Sequence, residues 1–172
     1  MSWHEIADWL DNRHGLLDAV VFSGGEPLHQ RGLVGAMWQA HDMGYRVALH
    51  TAGIYPDRLA DVMPLVDWLS FDVKGPFADY PRITGAKRGV AAQRALSFVL
   101  GSGKPHEVRC TVDETVLTID DASRMAREVA EMGVSRLVLQ AQSDSYGNSV
   151  PLSPDFVNAM ACWIECVERR IA

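Results

Sequence analysis

A regular alternation governs what this chain can become. Short β-branched or apolar runs recur along it, and between them lie stretches with apolar residues every three or four positions. The runs are Ala19 to Ser23, Arg46 to His50, Trp68 to Val73, Glu107 to Val112 and Arg136 to Gln140. The stretches between and after them, about Gln30 to Met43, Pro56 to Met63, Gly89 to Leu100, Asp120 to Met132 and Pro154 to Ile171, read as helices. Ser2 and Glu5 form a capping box that opens a further helix to about Asp11. Gly44, Gly101 and Gly133 stand where helix ends take a left-handed residue, and Ser153-Pro154 reads as a cap followed by proline at the first helical position. About five βα units in succession predict an α/β fold with a parallel sheet covered by helices. No linker or low-complexity segment interrupts them, so residues 1–172 are expected to form one domain with a substantial core.

Laid side by side, such units make a doubly wound sheet or a barrel, full or partial. The placement of polar residues favours the barrel, because barrels gather ligand groups at the carboxyl ends of several strands. All five runs contribute: Ser23 to Glu26, then His50-Thr51, Asp72 and Lys74, Arg109 and Thr111, and lastly Gln140 and Gln142. A Rossmann sheet would concentrate its ligand at one switch point with a GxGxxG turn, which this chain lacks. The first of these ends is the most pointed. Gly24-Gly25 lets the backbone turn sharply and approach a ligand, Glu26 supplies a carboxylate, and Pro27 stiffens the residues after it.

The formal charge of −6 and the absence of any Lys/Arg run argue against nucleic acid or an anionic membrane as the main partner. No apolar run approaches a membrane span, and the opening Met-Ser-Trp-His-Glu has no secretory pattern, so a cytoplasmic location is expected. Cys110, Cys162 and Cys166 do not suggest a disulfide framework. Trp38, Met43, Met63, Trp68 and Met125 fall at apolar positions and are expected in the core. Asp120-Asp121 reads as helix capping, and Tyr146-Gly147-Asn148 as a turn before the last helix.

Ser-Gly-Gly-Glu-Pro at 23 to 27, His-Thr-Ala-Gly at 50 to 53, Phe-Asp-Val-Lys-Gly-Pro-Phe at 71 to 77, Tyr-Pro-Arg-Ile-Thr-Gly at 80 to 85 and Glu-Val-Arg-Cys-Thr at 107 to 111 together resemble the radical S-adenosylmethionine superfamily. Within it they are most similar to the activating proteins of anaerobic ribonucleoside-triphosphate reductase, which generate a glycyl radical on that enzyme. The resemblance implies a partial parallel (β/α) barrel, S-adenosylmethionine as cofactor, the reductase as partner, and an electron donor such as flavodoxin or ferredoxin. It implies that Gly24, Gly25 and Glu26 hold the amino group of the cofactor's methionine moiety and that Thr51 faces the same molecule. An ammonium is suited by backbone carbonyls and a carboxylate. It further implies that Lys74 meets a carboxylate, that Asp72 meets a ribose hydroxyl or the ammonium, that Arg109 reaches the cofactor's carboxylate, and that Gln140 stands where some relatives carry histidine. His50 stands where related activating enzymes often carry an acidic residue. Asp72 and Lys74 also have a purely structural reading, as an ion pair capping the barrel.

The superfamily's reaction needs a 4Fe-4S cluster bound by CxxxCxxC in the loop after the first strand, and no such motif occurs here. By the resemblance, the first strand and the cluster loop are absent from this sequence. Ala19 to Phe22 is then expected to be a sheet edge that invites pairing with another chain. Cys162 and Cys166 form a CxxxC pair expected to lie one turn apart on the last helix, where Arg169 occupies the position a third cysteine would need. They are read as packing residues, with no metal or catalytic residue assigned. The alternatives are another radical S-adenosylmethionine enzyme, such as a 7-carboxy-7-deazaguanine synthase, and a degenerate, non-catalytic barrel.

Overall fold

The computed structural model describes residues 2–142 and 150–170; the Tyr146-Gly147-Asn148 segment lies outside them. In chain order the elements are α1 (Trp3–Asp11), β1 (Ala19–Phe22), α2 (Leu33–Asp42), β2 (Arg46–Thr51), α3 (Pro56–Val62), β3 (Trp68–Asp72), α4 (Tyr80–Thr84), α5 (Gly89–Gly101), β4 (His106–Val112), α6 (Ile119–Glu131), β5 (Arg136–Ala141), α7 (Pro154–Ala161) and β6 (Cys166–Arg170). The strands form one sheet in the order β1-β2-β3-β4-β5-β6, and every pairing is parallel. The sheet does not close, so this is the open, partial barrel that the alternation predicts.

Sheet order equals chain order, and right-handed crossovers that always step the same way lay the helices on one face. That face is the core. Val47 and Leu49, Leu69 and Phe71, Val108, Cys110 and Val112, and Leu137 and Leu139 alternate along β2 to β5 and pack with Met37, Leu59, Leu96, Met125, Val129 and Phe156 of the helices. The intervening strand residues belong to the other face. They include His50, Trp68, Ser70, Asp72, Glu107, Arg109, Thr111 and Gln140, and period two separates the two sets.

Local signals start most helices. Ser2 caps α1, its hydroxyl accepting from the Glu5 N–H at 3.3 Å while its own N–H donates to Glu5 Oε2 at 2.5 Å. Thr118 and Asp121 form the equivalent reciprocal cap on α6. Gly89, the first residue of α5, leaves no room for a side chain, because a Cβ would collide with the Phe77 carbonyl.

Four expectations need correction. The last helix does not run to Ile171: α7 ends at Ala161, and Cys166–Arg170 form a sixth strand paired with Arg136 to Gln140. The edge of β5 offers unpaired backbone groups, and satisfying them outweighs the helical pattern of the preceding residues. Second, the helix expected from about Gln30 begins at Leu33, and a separate 3-10 turn at Pro27–His29 precedes it. Third, Gly101 closes α5 without a left-handed φ, and Gly103 takes that role at φ 69°. Fourth, Trp38 is 56% exposed, whereas Met63 and Met125 are buried as expected. Among the described residues no helix is long and apolar enough to cross a membrane.

Candidate functional site

At the exit of β1, Gly24 (φ 86°) and Gly25 (φ 53°) take the left-handed conformation that only glycine adopts at little cost. Among the described residues no atom beyond the adjoining ones lies within 4 Å of where either residue's Cβ would stand, so these positions face open space. Glu26 caps the 3-10 turn by accepting from the Leu28 N–H at 3.0 Å. The same carboxylate accepts from Thr51 Oγ1 at 2.7 Å and the Ala52 N–H at 2.9 Å, and Thr51 Oγ1 in turn accepts from the Gly53 N–H at 2.9 Å. Glu26 therefore welds the Gly-Gly turn to the end of β2. Arg58 of α3 reinforces the weld by donating through Nη1 to the carbonyls of Leu28 at 2.6 Å and His29 at 2.8 Å.

A second group forms at the ends of β2, β3 and β4. Asp72 and Arg109 are register partners on adjacent strands, and the Arg109 Nε–H donates to Asp72 Oδ1. Lys74 Nζ lies 3.0 Å from Asp72 Oδ2. Arg109 Nη2 also stands 3.4 Å from His50 Nδ1. A guanidinium can only donate, so His50 Nδ1 is the acceptor and the ring's proton sits on Nε2. Burial first, and then the Arg109 charge, hold the His50 pKa below its ordinary value, which keeps the imidazole neutral near pH 7. Trp68 meets the His50 ring edge-on at 5.8 Å between centroids. Beneath this group Tyr80 accepts from the Lys74 N–H at 3.2 Å, and burial raises the Tyr80 pKa, so its hydroxyl stays protonated.

The residues picked from sequence thus divide. Gly24, Gly25, Glu26 and Thr51 share one end of the site, and Asp72, Lys74 and Arg109 share the other. Gln140 stands on a separate cross-strand row, between Thr111 and Arg170. Sequence reasoning missed that Arg109 recruits His50. It also missed Ser70, whose buried hydroxyl has no partner among the described residues, and Glu107, whose carboxylate receives both Nη1 and Nη2 of Arg170 at 3.0 and 2.9 Å across the intervening β5. The period-two spacing of Trp68, Ser70 and Asp72 places these on one face, but their partners depend on strand register.

The radical SAM superfamily profile matches residues 1–99. This chain belongs to the radical SAM superfamily. Among solved structures it is similar to a domain of the pyruvate-formate lyase-activating enzyme from Bacteroides vulgatus, at 16% identity and a TM-score of 0.68 over 90% of this chain and 98% of that one. It is also similar to Streptococcus suis SuiB bound to S-adenosylmethionine, at 8% identity and a TM-score of 0.69, where it spans all of itself and 44% of SuiB. A third likeness is to TYW1 with a lysine-pyruvate adduct bound, at 18% identity and a TM-score of 0.65 over 93% of this chain and 60% of that one. At these identities the likeness speaks for the fold. A search of curated proteins finds no match.

Membership of this radical SAM superfamily implies S-adenosylmethionine and an iron–sulfur cluster as cofactors. The open Gly-Gly turn and the neighbouring charged group suit the first. The thiols do not suit the second. Cys110 is fully buried on the helix-covered face, and burial pushes its pKa up to about 12, far from the thiolate that iron requires. Cys162 caps α7 with its Sγ donating to the Asn158 carbonyl at 3.3 Å, and Cys166 opens β6 at the amino end of the sheet, opposite the site. Among the described residues no three His, Cys, Asp or Glu side chains converge on a metal position.

Proposed function

We propose that this chain is the S-adenosylmethionine-binding part of an activating protein whose target is anaerobic ribonucleoside-triphosphate reductase. What carries the reading is the pair of groups at the carboxyl ends of β1 to β4. The Gly24-Gly25 turn, with open space beside it, suits close approach by an ammonium, and Arg109 and Lys74 suit a carboxylate. Glu26 acts as a positioning residue, because its oxygens already hold Thr51, Ala52 and Leu28. Asp72 fixes Arg109 and Lys74 through its two carboxylate oxygens and accepts from the ligand's hydroxyl or ammonium. His50, neutral and held by Arg109 at Nδ1, keeps its proton on Nε2. A protein target is supported by the likeness to a domain of an enzyme that activates pyruvate-formate lyase.

The placement of the three thiols supports a second reading, a domain that binds S-adenosylmethionine without cleaving it. Equilibrium dialysis with labelled S-adenosylmethionine tests the shared step, with saturable binding expected and its loss expected in Asp72→Ala; no binding by the wild type refutes both readings. Co-sedimentation with purified anaerobic ribonucleoside-triphosphate reductase separates them. Saturable association with the reductase supports the activating protein, and S-adenosylmethionine binding without that association supports the second reading.

A further inference from the structure

One cluster on the carboxyl-end rim reaches beyond both of those groups and shares with them only Arg58, with the His29 carbonyl it holds. Tyr55, in the loop between β2 and α3, has the Arg58 guanidinium carbon 5.8 Å from its ring centroid and that of Arg88 at 5.5 Å. His29 Nδ1 stands 3.1 Å from the Tyr55 hydroxyl, and the two rings lie 5.7 Å apart. Lys87 adjoins Arg88 in the loop that enters α5, and Arg31 shares a small groove with Arg58 and Asp61. The chain carries more carboxylates than cations, 22 against 16. Yet among the described residues Arg58 and Arg88, like Arg13, Arg31, Arg46 and Arg169, have no carboxylate within 4.0 Å, whereas Arg82, Arg94, Arg109, Arg124, Arg127, Arg136 and Arg170 do.

We propose that Tyr55, Arg58 and Arg88, with His29 and Lys87, form a docking site for an acidic polypeptide segment of a protein partner. The ring of Tyr55 attracts both guanidiniums and restricts them, so their outward donors are held ready for carboxylates at a smaller ordering cost than free arginines would incur. A guanidinium fork matches the two oxygens of a carboxylate. Nucleic acid fits poorly, because the one aromatic ring that could stack a base is already engaged by cations and the whole chain is acidic. This inference extends the reading of a protein target. It does not require S-adenosylmethionine to bind, and scoring that binding on the same variants tells the two failures apart.

The test is calorimetric titration of the full chain with a hexaglutamate peptide at low and moderate salt. Arg88→Glu is the main variant, because Arg58 also holds the 28–29 carbonyls and its loss would disturb the fold. Arg46→Glu, at the opposite end of the sheet, is the control. Saturable, salt-sensitive binding that weakens roughly tenfold in Arg88→Glu and less than about twofold in Arg46→Glu is the expected result. The proposal is overturned by an absence of saturable binding or by equal loss in both variants. Displacement of the peptide by inorganic phosphate at equal concentration would also overturn it, since that result marks a small-anion subsite.

Discussion

Replacing Asp72 with alanine removes the carboxylate on which both Lys74 and Arg109 converge. The Asp72 side chain is 15% exposed, that of Arg109 17% and that of Lys74 32%, so the group is neither dry nor freely solvated. A hydrogen bond to a charged group contributes about 1.5–3 kcal/mol net. Two of adequate geometry set an upper bound of about 6 kcal/mol, and the solvent reaching Lys74 discounts the second heavily. The remaining cost is that of leaving Arg109 partly buried without its partner, and we expect a total loss of about 2–3 kcal/mol. Urea unfolding followed by far-UV circular dichroism measures it. Arg109→Met should recover part of that loss in the Asp72→Ala background, giving a coupling of about 1–2 kcal/mol in a double-mutant cycle. A loss below about 0.5 kcal/mol, or additive effects, would refute the claim that this group is an interdependent unit.

Three further outcomes rest on other residues. Asp121 is buried, which by itself raises a carboxyl's pKa, but hydrogen bonds from Thr118 and Arg82 hold it down to about 2. A depressed folded-state pKa contributes stability that is complete above about pH 4 and drains away as pH falls toward about 2. Urea midpoints of Asp121→Asn should therefore be flatter than wild type across that window, and parallel profiles would contradict the assignment. Val21 is 51% exposed on the edge strand β1, so Val21→Lys should lower the light scattering of concentrated solutions without moving the thermal midpoint. Ser70 has a buried hydroxyl without a partner among the described residues, so Ser70→Ala should be neutral or stabilising by up to about 1 kcal/mol; a clear destabilisation would reveal a partner such as a buried water.

How much the sequence disclosed, and how much it withheld, depends on the range of each interaction. The strands at Arg46, Trp68, Glu107 and Arg136 were legible because apolar or β-branched residues recur at least at every second position over a short run, and the Gly24-Gly25 turn because nothing but glycine suits it. The sixth strand was hidden, since Cys166 to Arg170 carries three charges in five residues and has only Val167 packed against the core. Its identity comes from the edge of β5, not from its own composition. Glu26 was legible as a site residue, but its bonds to Thr51 and Ala52 reach across 25 and 26 positions, which no local pattern records. The same holds for His50, whose tautomer depends on an arginine 59 residues away.

The identity of sheet order and chain order bears on how the molecule is made. Each strand pairs with the strand formed before it, so every ladder closes over one βα step and no later segment has to be awaited. Synthesis from the amino terminus can therefore add the sheet one unit at a time as the chain emerges, and the loop-closure entropy of each step stays close to that of the last. During this growth β1 remains one edge and the newest strand is the other, and β6 brings to that edge Glu168, Arg169 and Arg170, charges that discourage indiscriminate strand pairing.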